Sequence, residues 1–237
     1  MGSAEAMTEN SLPHYFMHLP EDQVDLHANA RRQLGGQVPH YSIVSDIQQQ
    51  FQDNFDLTNM ILSYFNREKI ATLATEDPQR LAQYPAHLYL FLSIPVRRFQ
   101  EPDFVDTHTV RCTGEKLFRQ GSARNDWVWV KTGNSDNYGQ LQGHLPGQLK
   151  ALFTVIDPAT RVHYQLALVT MTKVDLSGHP NQQAHGLVTV SPRPLPGGYW
   201  IVGISSLVAM AHIVKDPHRD RWFVNNRIDL WSFNQFY

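Results

Sequence analysis

The stretch from His87 to Pro95 reads His-Leu-Tyr-Leu-Phe-Leu-Ser-Ile-Pro and marks a change in the pattern of residues along the chain. Before Pro85, apolar residues recur at helical spacing. After it, short runs rich in β-branched and aromatic residues alternate with turn residues. Short strands at such spacing are typical of a small barrel or sandwich. The sequence therefore predicts an α+β protein, with N-terminal helices packed on a small, partly open, mainly antiparallel β-barrel.

This change divides the chain into a helical part, residues 1–86, and a β-rich, barrel-like part, residues 87–237, which we expect to pack as one unit. A glycine pair, Gly35-Gly36, is predicted to stop the first helix. The expected helical segments are Glu21 to Leu34, Ser42 to about Asn66 with a break at Asp56 to Thr58, and Glu76 to Pro85, which is either a third short helix or a linker.

The β-rich part contains eight candidate strands, and a hairpin loop is predicted from Asp157 to Arg161. Two further turns are predicted at Gly133 to Asn137 and at Ser177 to Asn181. The candidate strands are His87 to Pro95, Thr107 to Thr113, Asp126 to Gly133, Leu149 to Asp157, Val162 to Val174, Gly186 to Ser191, Tyr199 to Ser205 and Trp222 to Ile228.

The charge of the chain is unevenly distributed along its length. The chain has 237 residues and a net charge of -2, which argues against a dedicated polycationic nucleic-acid binder. Residues 1–86 carry five Lys/Arg against eleven Asp/Glu, and residues 87–237 carry fifteen against eleven, so the two parts have charges of -6 and +4. Two explanations stay open: the parts attract each other, or the second part presents a basic binding face.

The composition favours an intracellular protein. A single cysteine, Cys112, forms no internal disulfide, which fits a reducing compartment. No apolar run reaches the roughly 18 residues needed to span a bilayer, so we expect no membrane insertion. The longest run, from Tyr199 to Val214, is interrupted by polar residues. The sequence leaves the oligomeric state open.

None of the familiar catalytic or cofactor signatures is present in the sequence, so we predict no catalytic residues, no metal and no cofactor. His108 is the histidine nearest to Cys112 in sequence, but the two are four positions apart, which is about 13 Å along a strand. Cys112 is therefore predicted to be a small core residue. Paired carboxylates come from distant positions and leave no local pattern, so an enzyme is disfavoured but not excluded.

Two stretches carry polar residues that a plain core strand does not need: Arg124 to Lys131, and Trp222 to Leu230 together with Ala211-His212. Tryptophans beside cations can stack bases or a flat ligand. The alternative is structural, with the tryptophans in the core, Arg124 and Asp126 fixing the start of a strand, and a buried polar network around the last strand. The candidate binding residues are Arg111, Arg124, Asp126, Trp127, Trp129, Lys131, His212, Asn225, Arg227 and Asp229.

The same stretches, in the same order, resemble the carboxy-terminal region of fungal Plavaka-type transposases and related Kyakuja-Dileera-Zisupton transposon proteins. The resemblance covers about Pro95 to Tyr237 and implies a transposon-encoded or domesticated accessory region that lies after the nuclease core of the family, in a nuclear setting. It rests on Asp106 with Arg111-Cys112-Thr113, Arg124 to Val128, Leu152-Phe153 with Tyr164 to Val169, Ala211 to Val214, and Trp222 to Leu230.

These observations lead to three hypotheses of different classes. The first is a non-enzymatic interaction module that contacts nucleic acid or a protein partner. Its basic face would include Arg97, Arg98, Arg111, Lys116, Arg119, Arg124 and Lys131. The second is an enzyme whose site is assembled around His212 and Asp229. The third is a structural fragment of a larger polypeptide.

Overall fold

A computed structural model describes residues 32–51, 56–97, 105–113, 124–132, 143–175, 187–216 and 222–225. Within these ranges the chain forms four short helices and eleven strands. In chain order they are β1 (Gln33–Val38), α1 (Val44–Gln48), α2 (Leu57–Arg67), α3 (Ala71–Ala74), α4 (Pro78–Leu81), β2 (Ala86–Arg97), β3 (Val105–Thr113), β4 (Arg124–Asn125), β5 (Trp127–Lys131), β6 (His144–Ile156), β7 (His163–Asp175), β8 (Leu187–Gly203), β9 (Leu207–Met210), β10 (His212–Lys215) and β11 (Trp222–Asn225).

The first predicted helix is wrong at its end, where the structure has strand β1. Gly35 and Gly36 lie inside this strand, and Gly36 has a φ of 67°. The physical reason is long-range pairing: β1 runs antiparallel to β2, with Leu34 opposite Leu92. Pairing with a distant strand overrides a local helical pattern. Residues 21–31 of the predicted helix lie outside the described residues.

The segment from Ser42 to Asn66 forms two helices, with a break between them as predicted. Helix α2 begins after Asp56, whose side chain accepts a hydrogen bond from the Asn59 amide at 3.1 Å and so caps the helix. Asp77 caps α4 in the same way, through the Gln79 amide at 3.0 Å. Helix α1 is shorter than predicted, and α3 was not predicted.

The strands form a mostly antiparallel sheet that curls into a half-barrel. Among the described strands the order is β10-β11-β8-β7-β6-β2-β3-β4, with β1 on the second edge of β2 and β5 between β6 and β9. The predicted hairpin at Asp157 to Arg161 connects β6 to β7. The other two predicted turns, at 133–137 and 177–181, lie outside the described residues.

Two of the predicted strands, at 186–191 and 199–205, are parts of one long strand, β8. Prolines lie between these two segments in the sequence, and proline cannot donate to a β-ladder. The ladder between β7 and β8 instead shifts register twice near Thr172, which faces Pro194. Register shifts of this kind accommodate proline without ending the strand. Strands β1, β4, β9 and β10 were not predicted.

The sheet forks where β2 and β6 separate. These strands pair only from Ala86 to Tyr89 of β2. Beyond Tyr89, the same edge of β2 pairs with β3, and the same edge of β6 pairs with β5. A register shift in the β6–β7 ladder leaves Lys150 unpaired next to the fork. We call this point, where β3 and β5 enter between β2 and β6, the fork.

Two hydrophobic cores lie on opposite faces of the sheet. Along β7, Leu166 and Leu168 face the helices, whereas Ala167, Val169 and Met171 face the inside of the curl. The helix-side core joins sheet residues to Val44, Ile47, Leu57, Ile61, Phe65 and Leu81. The inner core, inside the curl, includes Leu92, Ile94, Val110, Cys112, Val128, Trp129, Val130, Leu149, Leu152 and Leu207.

Polar contacts fix the helices to the sheet. The buried Tyr84 hydroxyl donates to Glu76 Oε2 at 2.5 Å, and burial with this hydrogen bond raises the pKa of Tyr84 to about 12. Arg67 Nη2 donates to the Ile201 carbonyl at 2.9 Å, which ties the end of α2 to β8. Buried polar groups of this kind are stabilising only when they are paired, as they are here.

The hairpin loop supplies a stability prediction. Asp157 is 2% exposed and accepts hydrogen bonds from the Ala159 amide at 2.8 Å and from Thr160 Oγ1 at 2.6 Å. Asp157→Ala removes both acceptors and is expected to lower the free energy of unfolding by about 1–3 kcal/mol. Urea unfolding measures this loss, with Val162→Ala, at an exposed loop position, as the control.

The same loss is expected to depend on pH. The Thr160 hydroxyl, and after it the backbone amides, hold the pKa of Asp157 below its ordinary value, although burial opposes them. The carboxylate therefore stabilises the fold above the unfolded pKa of about 3.9, and this contribution is lost as the pH falls through the folded pKa. A difference between wild type and Asp157→Ala that grows towards acidic pH would contradict this.

Candidate functional site

One face of strands β2, β3 and β4 is turned away from the inner core. Leu92 and Ile94 of β2, and Val110 and Cys112 of β3, are buried in that core. Because side chains alternate along a strand, the residues between them point to the opposite side. These intervening side chains are mostly partly or fully exposed. We call this surface the outer face; it comprises Gln33, Gly35, Phe91, Ser93, Pro95, Thr107, Thr109, Arg111, Thr113 and Arg124.

Strand pairing brings two of the predicted site residues together on the outer face. Thr113 lies directly opposite Arg124, and Arg111 is two residues before Thr113 on the same face of β3. Diagonal neighbours of this kind lie about 7–8 Å apart, within reach of long side chains. Arg111 is exposed, and the side chain of Arg124 is 54% exposed. The two guanidinium groups can therefore contact one ligand.

Asp126 forms hydrogen bonds with both of these arginines at the fork. Its Oδ2 accepts from the Arg111 amide at 2.8 Å, and its Oδ1 accepts from Arg124 Nε at 3.0 Å. Its own amide donates to the Arg111 carbonyl at 2.9 Å, and its carbonyl accepts from the Leu149 amide at 3.0 Å. Asp126 thus links β3, β4, β5 and β6. This is the structural role that the sequence offered for Arg124 and Asp126, while a binding role for them stays a prediction.

The charges of the outer face are dominated by its two arginines. Asp126 is the one carboxylate in ion-pair distance of Arg124 among the described residues, and its side chain is 14% exposed. Within the same residues, no carboxylate lies in ion-pair distance of Arg111. Because Arg111 is exposed, its guanidinium can reach an anion from solution. Of the other predicted basic residues, the side chain of Arg97 and all of Arg98, Lys116 and Arg119 lie outside the described residues.

The two polar stretches singled out in the sequence meet in the structure. The rings of Trp127 and Trp222 are in edge contact, with centroids 5.4 Å apart, and the Ala211 amide donates to the Trp127 carbonyl at 2.8 Å. Trp127 is partly exposed, whereas Trp129 is 3% exposed and belongs to the inner core. Trp129 therefore has the core position that the structural alternative predicted.

The remaining candidates in the described part of the chain lie away from the outer face. Lys131 is exposed at the end of β5, opposite His144. It lies about 13 Å along the strand from Trp127. His212 is opposite Asn225, and its partial burial lowers its pKa, which favours the neutral imidazole. Arg227 and Asp229 lie outside the described residues. The pairing of His212 with Asp229 therefore stays a prediction.

Cys112 is a buried residue of the inner core. It is 3% exposed, and burial raises the pKa of its thiol to about 12. Its Sγ lies 3.6 Å from Asn125 Oδ1, whereas the Nδ1 atom of His108 accepts from the Met210 amide at 3.4 Å. The prediction of a small core residue is confirmed. Among the described residues, no group of three His, Cys, Asp or Glu side chains is placed to hold a metal ion.

Comparison with protein-family models, with curated proteins and with solved structures finds no match to this chain. None of the helices in the described part of the chain has the length and apolarity needed to cross a membrane. The similarity to transposon proteins stays a prediction.

The sequence analysis named Arg111 and Arg124 of the outer face as candidates but missed its aromatic residue, Phe91. It lies directly opposite Arg111, on the next strand of the sheet. The alternation in the stretch from His87 to Pro95 could have placed Phe91 and Ser93 on the face opposite to Leu92 and Ile94. That Arg111 would be its neighbour depends on the register between β2 and β3, which local sequence does not specify.

The burial of Cys112 gives a prediction about its reactivity. Because the thiolate is the reactive form, a thiol with this pKa is expected to react with a disulfide reagent negligibly at about pH 8 in the native protein. In denaturant the reaction should become fast, and the Cys112→Ala variant gives the background. Absorbance after addition of Ellman's reagent measures both rates. Fast labelling without unfolding would mean that the inner core opens at this point.

Proposed function

We propose that the chain is a non-enzymatic interaction module that binds nucleic acid through the outer face. One observation carries the proposal: two exposed arginines from different strands are diagonal neighbours on the outer face, where the Asp126 carboxylate accepts from the backbone amide of Arg111 and from the guanidinium of Arg124. Guanidinium groups are suited to phosphate because their planar N–H donors match its oxygens. A rigid sheet positions such groups more accurately than a loop does.

The chemistry of the described residues favours binding over catalysis. The thiol of Cys112 is buried and protonated, and Asp126 is engaged by two donors. Neither is poised as a nucleophile or a base. An enzyme built around His212 and Asp229 is the alternative, and activity lost on His212→Gln with nucleic-acid binding unchanged would favour it.

We infer the origin and the cellular location of the module from the sequence resemblance. We propose that it derives from a fungal, transposon-encoded protein and acts in the nucleus, where both DNA and RNA are present. We also propose that the helical part and the β-rich part act as one unit, a partly open barrel with helices packed on it. The helix-side core, which joins Phe65 and Ile61 to Phe153 and Leu168, supports this arrangement.

Charge-removing variants test the proposal. Arg111→Gln and Arg124→Gln are each expected to weaken binding of labelled DNA. Each should also reduce the slope of log affinity against log salt by about 0.7 on single strands or about 0.9 on duplex, for each phosphate that the variant no longer neutralises. Fluorescence anisotropy at several salt concentrations measures both quantities.

The matched control is Arg161→Gln, which removes one exposed arginine from the β6–β7 loop. It should leave affinity and slope close to those of the wild type. Equal effects of all three substitutions would indicate attraction by net charge alone and would reject the outer face as the site. A wild-type protein that binds no nucleic acid at low salt would reject nucleic acid and leave a protein partner as the function to test.

A further inference from the structure

Phe91 is the large aromatic residue of the outer face. It is partly exposed and belongs to neither the inner core nor the helix-side core. On the opposite face of β2, Leu92 and Ile94 are completely buried. Core packing does not explain why a phenylalanine is partly exposed on a sheet face, opposite an arginine.

The ring of Phe91 lies over a gap made by two glycines. A Cβ atom added to Gly35 would overlap Phe91 Cζ, and one added to Gly36 would lie 3.3 Å from Phe91 Cδ1. The ring therefore occupies the space that side chains of β1 would otherwise fill. One side of the ring is supported by the β1 backbone, and no side chain at position 35 or 36 covers it.

The surroundings of the ring on the outer face are polar and cationic. Arg111 is directly opposite Phe91, and the next pair on the same face is Ser93 with Thr109, both partly exposed. Their hydroxyl groups can donate and accept hydrogen bonds. Arg124 lies one diagonal step beyond Arg111. The outer face therefore presents the aromatic ring of Phe91 in the middle. The hydroxyl groups of Ser93 and Thr109 lie on one side of it, and the guanidinium groups of Arg111 and Arg124 lie on the other.

We propose that the outer face binds single-stranded nucleic acid, with an unpaired base stacked on Phe91 and the adjoining phosphates held by Arg111 and Arg124. This inference rests on the proposed function and makes it more specific. Aromatic residues on a sheet, next to cations, bind single strands because every base has a flat face for stacking. The bases of a duplex are already stacked and paired, so they cannot occupy the ring without being extruded.

The glycine contact also has a purely structural explanation, because an aromatic ring over a strand glycine stabilises a sheet. Two substitutions separate the explanations. Phe91→Leu keeps apolar cover over the glycines but removes the aromatic face. Phe91→Tyr keeps both the cover and the ring. A structural role predicts similar binding for both variants, and a stacking role predicts that only Phe91→Tyr binds like the wild type.

The experiment is an anisotropy titration of the full chain with labelled oligothymidine of about 15 nucleotides, in the range of site sizes for single-strand binders. Its duplex with oligoadenine and an abasic oligomer of equal length are the comparison probes. Thermal melts of both variants report whether the fold is kept. Stacking of one base predicts that Phe91→Leu binds the single strand about 5- to 150-fold more weakly than the wild type, equivalent to 1–3 kcal/mol.

The expected pattern has three parts: wild type prefers the single strand over the duplex, Phe91→Tyr keeps this preference, and Phe91→Leu binds oligothymidine no better than wild type binds the abasic oligomer. Unchanged binding of oligothymidine by a folded Phe91→Leu variant would overturn the inference but leave salt-sensitive nucleic-acid binding standing. Absence of binding to every probe at low salt would overturn both the inference and the proposed function.

Discussion

The hydrogen bonds of Asp126 are the contacts on which the curled sheet depends. Strands β2 and β6 separate after Tyr89, so each presents backbone donors and acceptors that need new partners. Strands β3 and β5 supply these partners, and the two strands run in opposite directions through the fork. Asp126 closes the junction because its amide, carbonyl and carboxylate together satisfy Arg111, Arg124 and Leu149.

This junction also determines which side chains reach the surface. Once the register of β3 is fixed by Asp126, Val110 and Cys112 must face inward and Arg111 must face outward. A shift by one residue would bury a guanidinium group in the inner core, at a large energetic cost. The same contact that completes the sheet therefore presents Arg111 on the outer face.

Local features of the fold could be predicted from the sequence, and features that depend on register could not. Asp56 and Asp157 have short-range roles, as a helix cap and as a turn residue, which side-chain chemistry specifies within four residues. The burial of Cys112 was predicted because a lone cysteine without a nearby base behaves as a small hydrophobic residue. By contrast, β1, the fork and the neighbours of Phe91 depend on partners far away in the chain. Residues 33 and 34 are a clear example, because their helical spacing was overridden by pairing with β2.

The balance of charges at the fork bears on how the outer face can bind. Asp126 offsets one of the two arginines, so this group has a net charge of about +1 by simple addition. One or two phosphate contacts give only weak affinity with a shallow salt dependence, because the slope of log affinity against log salt is proportional to the number of phosphates neutralised. The ion pair of Arg124 with Asp126 is half exposed at the arginine, and surface pairs contribute roughly 0–1 kcal/mol to stability. Stacking of one base, at about 1–3 kcal/mol, is at least as large as either term. A face with this charge needs an aromatic contribution to bind nucleic acid with useful affinity, and Phe91 is the residue placed to provide it.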